Sequence, residues 1–145
     1  MTYRYWDEPY AEFSDLVGKT LSAVRGCEVG SERIEFLCSD GSMYVMYHSS
    51  DCCESVDVQD VVGDLADLIG SPILVAEEST NSESDPPDYK SEYDYRESFT
   101  WTFYKLATAK GWVDLRWLGE SNGYYSESVD FTRLSGPAGA PATGG

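Results

Sequence analysis

The residues with the greatest capacity for chemistry lie close together at residues 47–54, a segment that holds the only histidine of the chain. Imidazole, thiolate and carboxylate groups are the ligands that zinc and similar ions take in proteins. The candidate metal ligands are His48, Asp51, Cys52 and Cys53. Their spacing fits no standard zinc pattern, and other cysteines would have to join from distant strands. We therefore expect neither a metal nor another cofactor, and interpret the two cysteines as small packed side chains.

The same segment contains the elements of a Cys–His nucleophilic pair, which would make the protein a thiol/His, metal-dependent enzyme. A reactive thiol needs a nearby cation or helix N-terminus to lower its pKa, and the residues around Cys52 and Cys53 are acidic. The chain has no Gly-x-Ser-x-Gly elbow and no phosphate-binding glycine loop. We therefore expect no enzymatic activity. The N-terminus lacks the apolar core of a signal peptide, so we expect all four cysteines to be thiols.

A second group of residues combines aromatic rings with cations. The candidates for a ligand site are Trp101, Tyr104, Lys105, Arg116, Trp117 and Tyr124. A cation flanked by stacking rings suits a planar anionic molecule such as a nucleotide. Alternatively, the rings form the core of a small domain, and Arg116 pairs with an acid of the sheet. The sequence leaves both interpretations open.

The charge of the chain is strongly negative and unevenly distributed. Asp and Glu number 26 against 10 Lys and Arg, which gives a formal net charge of -16. No lysine or arginine lies between Arg33 and Lys90, although 13 of the acids fall there. Such a charge repels phosphate backbones and argues against direct binding to nucleic acid. An acidic protein can instead bind a basic protein surface, hold cations, or occupy the nucleic-acid groove of another protein by imitating its charge, and composition does not rank these three. No apolar run approaches the ~18 residues of a membrane span, so we expect a cytoplasmic protein.

One amphipathic helix is predicted between Asp57 and Ile69. Apolar residues recur there at intervals of three and four, at Val58, Val61, Val62, Leu65, Leu68 and Ile69. On the opposite side of this helix the same spacing aligns Asp57, Asp60, Asp64 and Asp67. The simpler interpretation of these aspartates is that they form a helix face exposed to solvent. Because no lysine relieves these like charges, we predict that the four aspartates form the partner-binding face.

The remaining pattern predicts two β-meanders. The first contains a tight turn at Asp40-Gly41, and the second turns at Lys110-Gly111 and again at Asn122-Gly123. These elements predict an α+β fold in which the main helix packs on a largely antiparallel sheet. We expect one domain over residues 1–135, a mobile acidic loop at about 79–98, and a flexible tail over residues 136–145.

Several strings, above all Asp-Cys-Cys-Glu at residues 51–54 and Ser-Asn-Gly-Tyr-Tyr at residues 121–125, support a family resemblance. The sequence resembles a small domain family of unknown function that is encoded largely by bacteriophages, many of which infect actinobacteria. The resemblance covers about residues 16–131 and brings no catalytic residues with it. It implies a phage accessory protein that works in the bacterial cytoplasm.

Charge and resemblance together lead to one main hypothesis. The protein is expected to be a non-enzymatic phage accessory protein that binds and inhibits a host factor, such as a defence protein, through its acidic face. The alternative is a small-molecule binder that sequesters a nucleotide-like signal in an aromatic and cationic pocket.

Overall fold

The computed structural model describes residues 11–49, 53–89, 97–123 and 125–134, and most of these residues lie in two antiparallel β-sheets. The strands are β1 (Leu21–Arg25), β2 (Arg33–Cys38), β3 (Met43–Tyr47), β4 (Ser55–Val62), β5 (Val75–Asn81), β6 (Ser98–Thr108), β7 (Gly111–Ser121) and β8 (Asp130–Leu134). The first sheet has the order β1-β2-β3-β8 and the second has the order β4-β7-β6-β5. Short 3-10 helices span Phe13–Leu16 and Leu65–Leu68.

The inner faces of the two sheets pack against each other and form the main core. Trp117 on β7 is fully buried, and its Nε1 donates a hydrogen bond to the Met46 sulfur on β3 at 3.1 Å. Phe13, in the first 3-10 helix, places its ring 6.5 Å from that of Phe36 and 4.7 Å from that of Tyr104. Because strand residues alternate between faces, the second sheet also has an outer face that points away from this core.

The predicted α+β fold is wrong, because the described residues contain no long helix: the segment expected to be helical begins as the strand β4 and has helical structure only in the short 3-10 helix Leu65–Leu68. A β-bulge between Val58 and Asp60 explains the misleading spacing. Val58 lies before the bulge and Val61 after it, and both are on the side of β4 that faces the core. Two core-facing valines are therefore three residues apart, a spacing that is typical of a helix. Gly63, at φ 114°, then turns the chain away from β4. The valine-rich composition is typical of strands.

Two of the predicted hairpins are confirmed and a third is wrong. Asp40 Oδ1 accepts a hydrogen bond from the Ser42 amide at 2.9 Å, and Gly41 adopts φ 93°, which closes the turn between β2 and β3. The Lys110-Gly111 turn joins β6 to β7. The Asn122-Gly123 hairpin does not form, because β7 ends at Ser121 and the chain crosses to the first sheet, where β8 pairs with β3.

The predicted acidic loop is shorter than expected, because β5 continues to Asn81 and β6 begins at Ser98. The predicted tail at residues 136–145 lies outside the described residues.

The expectation of four thiols is also wrong. Cys27 and Cys38 are free, and burial raises the pKa of Cys27 to about 11, but Cys53 is disulfide-bonded.

Gly63 provides a test of this packing. A Cβ there would overlap the Trp112 carbonyl oxygen and lie 3.1 Å from the Val113 Cα, in addition to the backbone strain of a positive φ. We expect Gly63→Ala to lower the free energy of unfolding by about 3 kcal/mol in urea denaturation. Gly41→Ala is the matched control, because it has a similar φ and open space around the new methyl group. It should cost only about 1–2 kcal/mol. Equal losses would contradict the close contact at Gly63.

Candidate functional site

The outer face of the second sheet carries charged and aromatic side chains, which are arranged in rows across the strands. One row consists of Glu77, Lys105, Asp114 and Val62, and the next consists of Ser79, Phe103, Arg116 and Asp60. The strand register sets both rows, because residues paired across an antiparallel sheet project to the same side. The bulge in β4 is what brings Asp60, rather than its neighbour, to this face.

The two rows line an open cleft of about 760 Å³. This volume lies within the range that small-molecule sites occupy. Lys105 and Glu77 are exposed along it, and Asp114 is half-buried. Among the residues that the structure describes, these three side chains have no hydrogen bond or ion pair with one another or with any other group. Their charges are therefore available to a binding partner.

Arg116 is the most constrained cation of the cleft. Its two terminal nitrogens lie 3.0 and 3.2 Å from the two carboxylate oxygens of Asp88, a bidentate geometry. The same guanidinium lies 3.4 Å from Asp60 Oδ2, and its carbon is 5.6 Å from the centre of the Trp101 ring. The hydrogen bond from Arg116 lowers the pKa of Asp88. Asp88 therefore stays ionised under mildly acidic conditions.

Residues 82–89, which we call the strap, run from the end of β5 across one end of the outer face. Besides the Asp88 contact, Asp85 Oδ1 accepts a hydrogen bond from Trp101 Nε1 at 3.0 Å. The Tyr89 ring meets the Trp101 ring edge-on at 4.8 Å. Trp101 is fully buried, although it belongs to the outer face. The strap therefore adds two carboxylates to this face while contacting its largest ring.

The structure separates the predicted ligand-site residues into two groups. Trp101, Lys105 and Arg116 lie together on the outer face. Tyr104 and Trp117 point into the main core, because residues next to each other in a strand project to opposite sides. Burial, with a further effect from a nearby carboxylate, raises the pKa of Tyr104. Tyr124 lies outside the described residues.

The four aspartates predicted to form one helical face do not share a face. Asp57 and Asp60 lie on the outer face of the second sheet. Asp64 accepts a hydrogen bond from the Ala66 amide at 3.0 Å and caps the second 3-10 helix. Asp67 packs beside Gly111 at the turn between β6 and β7. The other carboxylates of the outer face were not predicted from the sequence; they are Glu77, Asp85, Asp88, Asp114 and Glu120. Strand alternation along β7 places Asp114 beside Arg116 and was the signal that could have found it.

His48 lies in the connection between β3 and β4, where two described groups contact its imidazole ring. Its Nε2 is 2.8 Å from Glu54 Oε2 and its Nδ1 is 2.7 Å from the Ser128 carbonyl oxygen. A carbonyl oxygen only accepts, so Nδ1 is the donor to Ser128, while Nε2 shares a hydrogen bond with Glu54. Within the described ranges, no three His, Cys, Asp or Glu side chains form a metal-binding group. Two predicted metal ligands, Asp51 and Cys52, lie outside those ranges.

Fold and site together define a two-sheet antiparallel β protein with a charged outer face. The chain belongs to the family described as Domain of unknown function (DUF7448), whose profile matches residues 14–131. This confirms the resemblance to a domain family of unknown function. No curated protein and no solved structure matches the chain. In the described part of the chain, no helix has the length and apolar character needed to cross a membrane.

The His48–Glu54 pair predicts a strong effect on stability. The Glu54 side chain is completely buried and that of His48 is 5% exposed, so Glu54→Ala removes the hydrogen-bond partner of the buried Nε2 of His48. We expect the free energy of unfolding at neutral pH to fall by about 2–3 kcal/mol in urea denaturation. Glu77→Ala removes an exposed carboxylate and should change the same quantity by less than about 0.5 kcal/mol. A Glu54 variant as stable as the Glu77 variant would show that the buried pair contributes nothing.

Proposed function

We propose that this chain is a non-enzymatic phage accessory protein that inhibits a host protein by binding a basic surface of it. The outer face of the second sheet is the docking surface. The acids of the sheet itself are Asp57, Asp60, Glu77, Asp114 and Glu120, and the strap adds Asp85 and Asp88, whose side chains contact the sheet. Its described bases are Lys105 and Arg116. Seven acids against two bases leave a net charge of -5 on one face, and this imbalance is the observation that carries the proposal.

The acids are placed where a basic partner would reach them. Glu77 and Asp114 flank Lys105 in one row, and none of the three is engaged within the described part of the chain. Complementary charge of this kind speeds encounter and orients the partner. Binding should therefore weaken as salt screens the interaction, over a Debye length of about 8 Å at physiological ionic strength.

The same face offers apolar contact next to the charges. Trp112, at the end of β7, is 60% exposed and Val62, which lines the cleft, is 51% exposed. Protein interfaces combine an apolar centre, often with tryptophan, with a charged rim. An exposed ring beside free carboxylates suits a folded basic protein better than a simple cation.

The phage context and the cytoplasmic location of this proposal come from the sequence resemblance and from the charge of the chain. Inhibition by stoichiometric binding suits a protein whose surface chemistry lies in a docking face. A host defence protein with a basic surface is the partner class we propose.

The proposal predicts that the outer-face carboxylates control partner binding. The double variant Glu77→Gln/Asp114→Asn removes two charges without breaking any described ion pair. We expect its affinity for a fluorescent oligo-lysine peptide to fall about fivefold, equivalent to ~1 kcal/mol, as measured by fluorescence anisotropy at low salt. In a second experiment, pull-downs from actinobacterial lysate are quantified by mass spectrometry. A host protein recovered with the unsubstituted protein should not be recovered with the double variant.

The matched control is Glu28→Gln/Glu32→Gln, which removes two exposed charges from the loop between β1 and β2. It produces the same net charge as the outer-face variant. If both double variants bind equally, total charge rather than the outer face determines binding, and the docking proposal is wrong.

The second candidate function is the sequestration of a nucleotide-like signal. The size of the cleft, the free Lys105 ammonium and the half-buried Phe103 ring at its floor favour it. In its present form the cleft offers little stacking surface, because Trp101 is fully buried and Arg116 is held by Asp88.

This candidate predicts a thermal shift with one member of a nucleotide panel. A ligand present at about 100 times its Kd adds roughly 2.7 kcal/mol to the free energy of unfolding and raises Tm by several degrees. Lys105→Met should abolish the shift and leave the Tm of the free protein nearly unchanged. If no nucleotide shifts the Tm of the unsubstituted protein, this function is excluded.

A further inference from the structure

We infer that Arg116 is a positioning residue of the acidic docking face, and that its positive charge strengthens the binding of a basic partner. The inference rests on the proposed function above. It runs against simple electrostatics, in which the removal of a positive charge from a docking surface favours a cationic partner.

The geometry around Arg116 supports this role. One guanidinium lies 3.0 Å from Asp88 on the strap and 3.4 Å from Asp60 on β4. It therefore connects carboxylates from two separate segments of the chain. Like charges brought this close repel each other, and the shared guanidinium offsets the repulsion.

Arg116 itself is well held. It lies on β7, which pairs with β4 on one side and β6 on the other. Its side chain is only 21% exposed and its guanidinium lies over the Trp101 ring. Asp88, in contrast, is 66% exposed and belongs to a loop. In the Arg116–Asp88 pair the arginine is the better fixed side chain. We therefore infer that Arg116 positions the strap, rather than the strap positioning Arg116.

The charge on the face shows why loss of Arg116 should weaken binding. With the strap in place, seven acids oppose two bases, a net of -5. Without Arg116 the strap loses the bidentate contact at Asp88, and we expect it to detach and carry Asp85 and Asp88 off the face. The face then has five acids against Lys105 alone, a net of -4. Loss of Lys105 instead leaves the strap bound and gives seven acids against one base, a net of -6.

Two matched variants therefore predict effects of opposite sign. Arg116→Met and Lys105→Met each remove one cation from neighbouring rows of the same face. We expect Arg116→Met to weaken binding of the oligo-lysine peptide about two- to fivefold, and Lys105→Met to strengthen it by a similar factor. Fluorescence anisotropy at one low salt concentration measures both.

A second readout reports the strap directly. The Trp101 indole N–H donates to Asp85, so its exchange with solvent, followed by NMR, reports whether the strap is seated. The signal is assigned by its loss in Trp101→Phe. Exchange should be faster in Arg116→Met and unchanged in Lys105→Met. Asp88→Asn removes an exposed carboxylate with little risk to folding, and it should also speed the exchange.

The outcomes separate this inference from the proposed function. If Arg116→Met binds the peptide as tightly as Lys105→Met, or if its indole exchange is unchanged, Arg116 does not position the strap. If the unsubstituted protein does not bind the peptide at all, the docking function fails, and the exchange measurements still decide the role of Arg116 in the strap.

Discussion

The shared core between the two sheets is the constraint on which the rest of the molecule depends. Trp117 and Tyr104 are buried between the sheets, and the Trp117 indole reaches across to Met46. Burial of each large apolar side chain contributes about 1.5–3 kcal/mol, so these contacts determine which side of every strand faces inward. Once the inner sides are assigned, alternation leaves the intervening residues outside. The charged rows of the outer face are a direct consequence.

Because the inner faces satisfy the hydrophobic requirement, the outer face can hold like charges at close range. Repulsion among them opposes the compact state, as expected for a chain with a net charge of -16. Arg116 relieves the repulsion at the point where β4 and the strap meet. Glu77 and Asp114 have no hydrogen bond or ion pair among the described residues. A docking function gives a reason for retaining charges that stability alone would not favour.

The features that were predicted correctly depend on local chemistry. Asp40-Gly41 forms its turn because a carboxylate accepts from an amide two residues away and glycine tolerates a positive φ. Asn122-Gly123 has an equally strong local preference for a hairpin, yet the chain leaves the sheet there and β8 joins β3 instead. The helix assigned to residues 57–69 failed for a related reason. A bulge in β4 shifts the alternation, and only the partner strand β7 reveals it.

The sequence by itself determined the sign and segregation of the charge, the turns at Asp40-Gly41 and Lys110-Gly111, and the resemblance to a domain family. The tertiary structure decided which residues share a surface. It placed Trp101 on the outer face, whereas Tyr104 and Trp117 lie in the core. It also put the four aspartates at different places and brought Asp88 to Arg116, 28 positions away in the chain. The physical reason is that turns and charge are properties of short segments. A surface is formed by strand register and sheet packing, which join residues far apart in sequence.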